Sequence, residues 1–547
     1  MRRADGLPAR PGDGRQTRSG DARFCGGRIG VLFVMALLAG ALWGDATAGA
    51  PLSPEEQRGK RIYYSGKGSS GFPIPAEIGL GKTRLLGDLL SCVNCHGREG
   101  RGRPDREGVA ASDITWDHLT AAEGHTHPSG RTHPPFDAAS LNRAVTRGLD
   151  PAGNPLDPAM PRYTIAGSDF DDLLAYLKRI ATDYDPGISE QTIRLGTLLP
   201  QQGPQADRGR TVLGVLRAYF DEINRGGGIH GRRIELLAAP AGTDRESRLA
   251  GLRQLLDQDV FALLGVFSNG AEADLVSLVE EREVPSVGPL TPFPEGGLVL
   301  HQYTFHVFSG LPQQARALVE FAARGLSLKE PRLGLLLPED PRYEAVTEAV
   351  AAQAARNGWQ PPVTLVASPD SDQARAALER LRGEGVDALL VFTPAAPLFA
   401  AIRRSAWRPY LFMPGSLWNP DLTAADPELG GRVYLAYAAA PGAVAGDTGS
   451  GLPYPGGSPR GARIRDQVHA YGAAHVMAEA LQRIDSRPSR ERLMEVLDGL
   501  RGLPLGLTPP LVFHPNRRIG ALGAYVVAAD LEQQRFTPVG TWISLDR

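Results

Sequence analysis

Two kinds of hydrophobic patterning divide this chain. From about residue 190 onward, short apolar runs alternate with stretches in which apolar residues return every three to four positions. Ile193-Arg194-Leu195-Gly196-Thr197-Leu198-Leu199 reads as a strand ended by Pro200. Val212, Val215, Leu216, Tyr219, Phe220 and Ile223 then share one helical face, and Gly226-Gly227-Gly228 ends that helix. Further strands are predicted at 233–239, 260–267, 284–288, 332–337, 362–367, 388–393 and 409–413, with helical periodicity between most of them. The alternation predicts an α/β fold of parallel sheets covered by helices, whose binding crevices lie beyond the carboxyl ends of the strands. Upstream, residues 52–186 lack that rhythm. Leu173, Leu174, Tyr176, Leu177 and Ile180 mark a helix there, predicted to start at Ser168 as N-cap with Asp171 and Asp172 in its first turn. Asp183-Tyr184-Asp185-Pro186-Gly187 reads as a linker. The Gly- and Pro-rich stretch at 440–459 reads as a surface loop or lid.

The first 48 residues change the picture of where the protein works. An arginine-rich leader runs into the apolar stretch Ile29–Trp43, and small residues follow at Ala46, Thr47 and Ala48. This is the pattern of a secretory signal with cleavage after Ala48, which places the mature protein in the periplasm. The alternative is an uncleaved leader acting as an anchor. At 547 residues the chain is too long for one core, and its formal net charge of −2 gives no basic surface for nucleic acid.

Cysteine usage sharpens the chemistry. There are three cysteines, and Cys25 belongs to the leader. The other two stand in Cys92-Val93-Asn94-Cys95-His96. Two thiols one helical turn apart can each add to a haem vinyl group, and the next residue then supplies an axial imidazole to the iron. A zinc site would need two further ligands at suitable spacing, and a thioredoxin-type pair would need its own α/β fold. The sixth iron ligand is expected to be Met160, in the Pro-bounded run Asp157-Pro158-Ala159-Met160-Pro161, with His133 as its rival. His118, His125 and His127 are expected to be solvated loop residues, with a metal site on them the less favoured reading. Gly81-Lys82-Thr83 fails as a phosphate loop, because the required first glycine is Ala76. No paired carboxylates suggest acid–base catalysis, so an enzyme is not expected.

With Gly59 and Tyr63 in an early helix and Tyr176 in a late one, residues 52–186 resemble the class I cytochromes c. The resemblance implies an all-α domain, crossing terminal helices, His96/Met160 ligation and one covalently bound haem c. The insertion-rich middle, including 28 residues between Tyr63 and Cys92, departs from that pattern. Residues 190–547 resemble the type I periplasmic binding proteins, especially the branched-chain amino acid receptors. The resemblance rests on Ile193–Pro200, on Asn224 followed by Gly227-Gly228-Ile229-His230-Gly231-Arg232, and on Val284-Pro285-Ser286-Val287-Gly288-Pro289. It implies two lobes, about 190–310 with a later return crossing and about 311–440, closing on a small ligand. It also implies ligand-binding roles for Ser268 and Asn269, for Leu290 and Thr291, for Tyr343, and for Thr393 and Ser416. Where the family's amino-acid receptors carry an acid for the ligand ammonium, this chain has Pro414-Gly415-Ser416-Leu417-Trp418, which argues against a plain amino acid. The expected function is a periplasmic mono-haem electron carrier fused to a small-molecule binding module, with a redox protein such as a periplasmic dehydrogenase as partner. The alternative is the solute receptor of an ABC importer, working with its permease and carrying an accessory haem domain.

Overall fold

A computed structural model describes residues 52–102, 111–127, 129–294, 301–366, 371–393, 402–417, 429–440, 464–484, 487–532 and 535–546. The leader and Trp418 lie outside the described residues, as does nearly all of the Gly- and Pro-rich stretch. None of the helices among the described residues is long and apolar enough to cross a membrane.

The N-terminal segment is framed by two helices, α1 (Pro54–Ser65) and α5 (Gly167–Arg179). Ser53 and Glu56 form a reciprocal capping box at the start of α1. The two helices cross where Gly59 lies against α5. A Cβ built on Gly59 would stand 1.9 Å from the Asp172 carbonyl oxygen, so the backbones meet where a larger residue would hold them apart. Tyr63 and Tyr176 pack beside the crossing with ring centroids 5.7 Å apart, and the Arg58 guanidinium binds the Asp172 carboxylate from Nε at 2.7 Å and from Nη2 at 2.8 Å. The cap of α5 is Ala166, with no side-chain hydrogen bond, and Ser168 falls inside the first turn. Between the framing helices come α2 (Cys92–His96), α3 (Trp116–Leu119) and α4 (Ala138–Arg147).

The all-α expectation is corrected here. β1 (Pro75–Ile78), β2 (Thr83–Leu86) and β5 (Arg162–Tyr163) form a small sheet, with β1 in the centre. β3 (His125–Thr126) pairs with β4 (Thr132–His133) in a short hairpin. The extra strands come from the insertions, whose length leaves room for hairpins.

The remainder is two α/β lobes. In the first, β6 (Thr192–Leu199), α6 (Ala206–Arg225), β7 (Arg233–Pro240), α7 (Arg245–Leu256), β8 (Ala262–Leu264), α8 (Glu272–Arg282), β9 (Ser286–Val287) and β10 (Thr304–Phe308) follow in order. The chain then crosses to the second lobe through α9 (Leu311–Arg324), β11 (Leu333–Leu337), α10 (Glu344–Arg356), β12 (Val363–Val366), α11 (Ser371–Gly383), β13 (Ala388–Val391), β14 (Tyr410–Pro414) and β15 (Val433–Tyr437). It returns to the first lobe for α12 (Ile464–Arg483) and α13 (Arg490–Asp498), then β16 (Arg501–Leu503), β17 (Leu511–Val512) and β18 (Ile519–Ala521). A further crossing sends β19 (Gly523–Asp530), β20 (Arg535–Pro538) and β21 (Ile543–Ser544) back to the second. The first sheet runs β18-β10-β9-β8-β6-β7, parallel throughout. The second runs β12-β11-β13-β14-β15-β19-β20, with β21 also paired to β19. The second lobe therefore does not end at 440: its last three strands, antiparallel to their neighbours, come from 523–544.

The junction at 183–187 is pinned rather than a loose tether. The Asp185 carboxylate accepts the Arg490 backbone N–H at 2.6 Å, and the Arg490 guanidinium donates to the carbonyls of Val260 (2.8 Å) and Phe261 (3.0 Å). Arg98 pairs with Glu283 across the same junction. These partners precede β8 and β9, so the N-terminal segment docks at the amino ends of the first lobe's strands. All these residues belong to one compact unit, 47–547.

Candidate functional site

Two places gather the chemistry-bearing side chains. The first is a cavity of about 300 Å³ inside the N-terminal segment, at the lower end of the roughly 300–1,000 Å³ typical of ligand pockets. Its walls are mostly carbon, from residues such as Ile62, Leu141, Val145 and Leu173. Cys92, Cys95, His96 and Met160 all line it. The Cys-x-x-Cys-His run is a single helical turn, and both cysteines are free thiols on it. Burial pushes the Cys92 thiol up, which keeps it neutral. His96 is buried, and its Nδ1 lies 2.8 Å from the Ser112 carbonyl oxygen. A carbonyl can only accept, so Nδ1 carries the proton and the Nε2 lone pair is left for a ligand. Burial also pulls the His96 pKa down, holding the ring neutral, as an iron ligand must be.

Of the three histidines expected in solvent, His118 is exposed as expected, whereas His125 and His127 are half-buried. His118, His125, His127 and His133 line this same cavity, with neighbouring ring centroids 4.5 to 6.4 Å apart. The β3–β4 hairpin sets His125 opposite His133. His133 Nδ1 donates to the Pro134 carbonyl at 2.8 Å, so its Nε2 accepts from His127 Nε2 at 2.9 Å. The donor atom of the rival iron ligand is thereby engaged. Among the described residues no group of three side chains is arranged to hold a metal ion. Arg131, on the same hairpin, donates at 2.8 Å to Asp150, a fully buried carboxylate that also takes the backbone N–H groups of Ala152 and Asn154. Burial works to raise the Asp150 pKa, but the bonds from Asn154 and Arg131 outweigh it and hold the group below its ordinary value.

Fit to a covalently held iron porphyrin rests on three features. Two free thiols are one turn apart, an imidazole has its far nitrogen already tied, and a thioether lines the same apolar cavity. Cys92 and Cys95 would hold the group covalently, and His96 and Met160 would hold its iron.

The second place lies between the lobes. Ser268, Asn269, Leu290 and Thr291 gather at the carboxyl ends of β8 and β9, where Phe267 and Leu290 form a bridge. Tyr343 follows β11, Thr393 follows β13 and Ser416 follows β14. Tyr343 packs between Phe293 (ring centroids 5.1 Å apart) and Phe392 (6.2 Å). The Ser268 and Thr393 hydroxyls are buried without a hydrogen-bond partner. Ser416 is set apart, its carbonyl 3.4 Å from the Arg465 guanidinium.

Sequence reasoning missed the charged residues here. Arg342 of the second lobe reaches the Asn269 side chain of the first and lies 3.6 Å from Glu272, while also binding Asp340. Glu272 accepts from the Thr291 hydroxyl at 2.7 Å and the Gly270 N–H at 2.9 Å. Arg208 pairs with Asp466 at 2.8 Å. The one available signal was Arg342 beside Tyr343; its partner lies seventy positions upstream.

Residues 192–534 match the family described as periplasmic binding proteins, and the chain belongs to that family. Among solved structures, it is similar to a fatty acid ABC transporter substrate-binding protein from Thermomonospora curvata (19% identity, TM-score 0.53, covering 67% of this chain and 96% of that one). It is also similar to a branched chain amino acid ABC transporter from Thermus thermophilus with bound valine (19%, 0.52, 66% and 98%). An ABC transporter substrate-binding protein from Aeropyrum pernix gives 14%, 0.53, 65% and 97%. At these identities the likeness is one of fold. No curated protein sequence matches the chain.

Proposed function

We propose that this periplasmic binding protein is an exported solute receptor that serves an ABC-type permease. The observation that carries the reading is the convergence of Ser268, Asn269, Thr291 and Tyr343 between two lobes that Arg342 bridges. The importer partner is suggested by the structural neighbours, whose names describe ABC transporter components. We infer a neutral or anionic ligand, because Glu272 and Asp340, the acids beside Asn269, Thr291 and Tyr343, are each engaged by Arg342. Thermal-shift screening of small acids, amides, alcohols and amino acids tests this. Stabilisation by a zwitterionic amino acid alone would refute the ligand class, and stabilisation by none would refute the receptor reading.

A second reading concerns the N-terminal segment and is favoured by its own observation, the cavity that brings Cys92, Cys95, His96 and Met160 together. We propose that the segment holds one haem c and carries electrons to or from a periplasmic redox protein. When bound, that group would supply one-electron transfer, with His96 and Met160 as the side chains that would hold the iron. The chain's own part is to present a neutral His96 Nε2, fix its tautomer through Ser112 and exclude water with apolar walls. A visible spectrum of protein made in a host able to mature cytochromes c, with colour resisting acid–acetone extraction, tests it; colourless protein refutes it.

A further inference from the structure

Met160 lies on a run with little regular structure, Leu156 to Pro161, which turns on Asp157 through the N–H groups of Ala159 and Met160 and is gripped from outside by a neighbouring arginine. The Arg162 guanidinium donates to the carbonyl of Met160, to that of Leu156 at 3.0 Å and to that of Asp157 at 3.2 Å. No described carboxylate lies within ion-pair distance of it; its hydrogen bonds go to the loop backbone, and the Asp157 charge adds a longer-range attraction. The arginine is itself held. Its backbone pairs with Glu77 in the β1–β5 ladder, and Tyr163 beside it pairs with Ala76. The loop gains a separate tie from the Gly79 N–H to the Pro158 carbonyl at 2.9 Å.

Room for the guanidinium comes from Gly148. This residue caps α4 in the left-handed region, φ 68°, and a Cβ there would stand 1.7 Å from Arg162 Nε and 2.1 Å from Cζ. Glycine at this position therefore does two jobs: it turns the chain and leaves the space that the guanidinium fills. A planar fork that reaches three carbonyls on one loop is an arginine property; a lysine ammonium is a single point on a flexible stem.

We propose that Arg162 is a positioning residue that sets the Met160 thioether at the iron, with Gly148 as the space it requires. The inference rests on the haem reading of this cavity. It is tested on the full-length, haem-loaded protein by two readouts: the methionine-to-iron charge-transfer band of the ferric form, and the affinity of added imidazole, which competes with Met160 for the iron. Arg162→Ala and Arg162→Lys are expected to weaken the band and to raise imidazole affinity about tenfold, since hydrogen bonds from a charged donor are the stronger kind. The lysine variant keeps the positive charge, so its failure to rescue assigns the effect to the fork. Gly148→Ala, which leaves Arg162 in the chain but displaces it, is expected to do the same, and carries the test should Arg162→Ala fail to mature. An intact band with imidazole affinity within about twofold of the parent in Arg162→Ala or Gly148→Ala would overturn the proposal, as would full rescue by lysine. Met160→Ala separates the two levels: if it leaves the parent band unchanged, the axial assignment itself is wrong and the proposal falls with it.

Discussion

The cavity of the N-terminal segment and the cleft between the lobes are built in opposite ways. In the cavity, the groups that would grip a ligand come from one helical turn, Cys92 to His96, and one loop, Asp157 to Pro161. In the cleft, they come from the ends of at least four strands, spread from Ser268 to Ser416. On the proposed haem reading, the first is a covalent type of site, in which a contiguous motif must be presented against a preformed apolar wall. The second is a closing site, in which no group works until two lobes meet. They also lie at opposite ends of the first lobe's sheet. Arg98 and Arg490 dock the N-terminal segment before β8 and β9, whereas Ser268 and Leu290 follow those strands.

The largest expected effect separates the two regions outright. Replacing Cys92 and Cys95 together by serine should abolish all covalent haem, read as loss of the extraction-resistant visible spectrum, while ligand-induced thermal shifts of the lobes persist. A variant that keeps its colour after extraction would remove the attachment assignment.

Next in size is the buried pair under the histidine hairpin. Asp150→Ala should cost about 3 kcal/mol in the N-terminal segment, because removing one partner strands the charge of Arg131 in a poorly solvated place. Its folded pKa is depressed. The Asp150 contribution is therefore full above the unfolded value of about 4 and fades as pH falls through the lower folded value. Denaturant titration followed by the Trp116 environment, at pH 7 and near pH 3, should show the mutational penalty shrinking in acid; a penalty independent of pH would contradict it.

What could be read from the chain follows the same division. The Cys92–His96 turn and the apolar stripe of α5 are local, so spacing alone locates them. Gly59, Tyr63 and Tyr176 meet because the two helices that carry them cross. The histidine cavity wall was not legible: His118 and His133 are fifteen positions apart, and only the β3–β4 pairing turns His125 and His133 toward one another. In the lobes, the strands up to 414 are visible as apolar runs, except β10 (Thr304–Phe308), which the sequence reading passed over. The final crossing to β19–β21 was not, since nothing in Gly523–Asp530 distinguishes the sheet it joins. Arg342 and Glu272 were missed for the same reason: an ion pair between lobes has no sequence period.

A smaller effect tests the docking of the two regions. Arg490→Ala leaves the carbonyls of Val260 and Phe261 without their guanidinium donor, while the backbone N–H that Asp185 accepts remains. The expected loss is about 2 kcal/mol. It should appear as earlier unfolding of the first lobe and faster limited proteolysis near 183–187, with the haem spectrum unchanged. If the spectrum changes instead, the cavity is coupled to the lobe more tightly than its own core implies.

The smallest effect lies in the cleft itself and bears on how the lobes close. Arg342 joins Asp340 of its own lobe to Asn269 and Glu272 of the other, and its guanidinium lies 5.0 Å from the centre of the Phe293 ring. The Arg342 side chain is 34% exposed and that of Glu272 only 11%, so the pair is screened on one side and sheltered on the other. A partly exposed pair of this kind is worth about 1 kcal/mol at most. That suffices to shift a balance between open and closed lobes about fivefold. Arg342→Ala should therefore enlarge the solution radius of gyration of the solute-free protein, and the parent should show the same opening at high salt, where the pair is screened. Glu272→Gln should do less, because the amide still accepts from Thr291. If neither variant opens the lobes, closure is held by the Tyr343–Phe293 packing rather than by charge, and the cleft would then share the cavity's reliance on apolar contact.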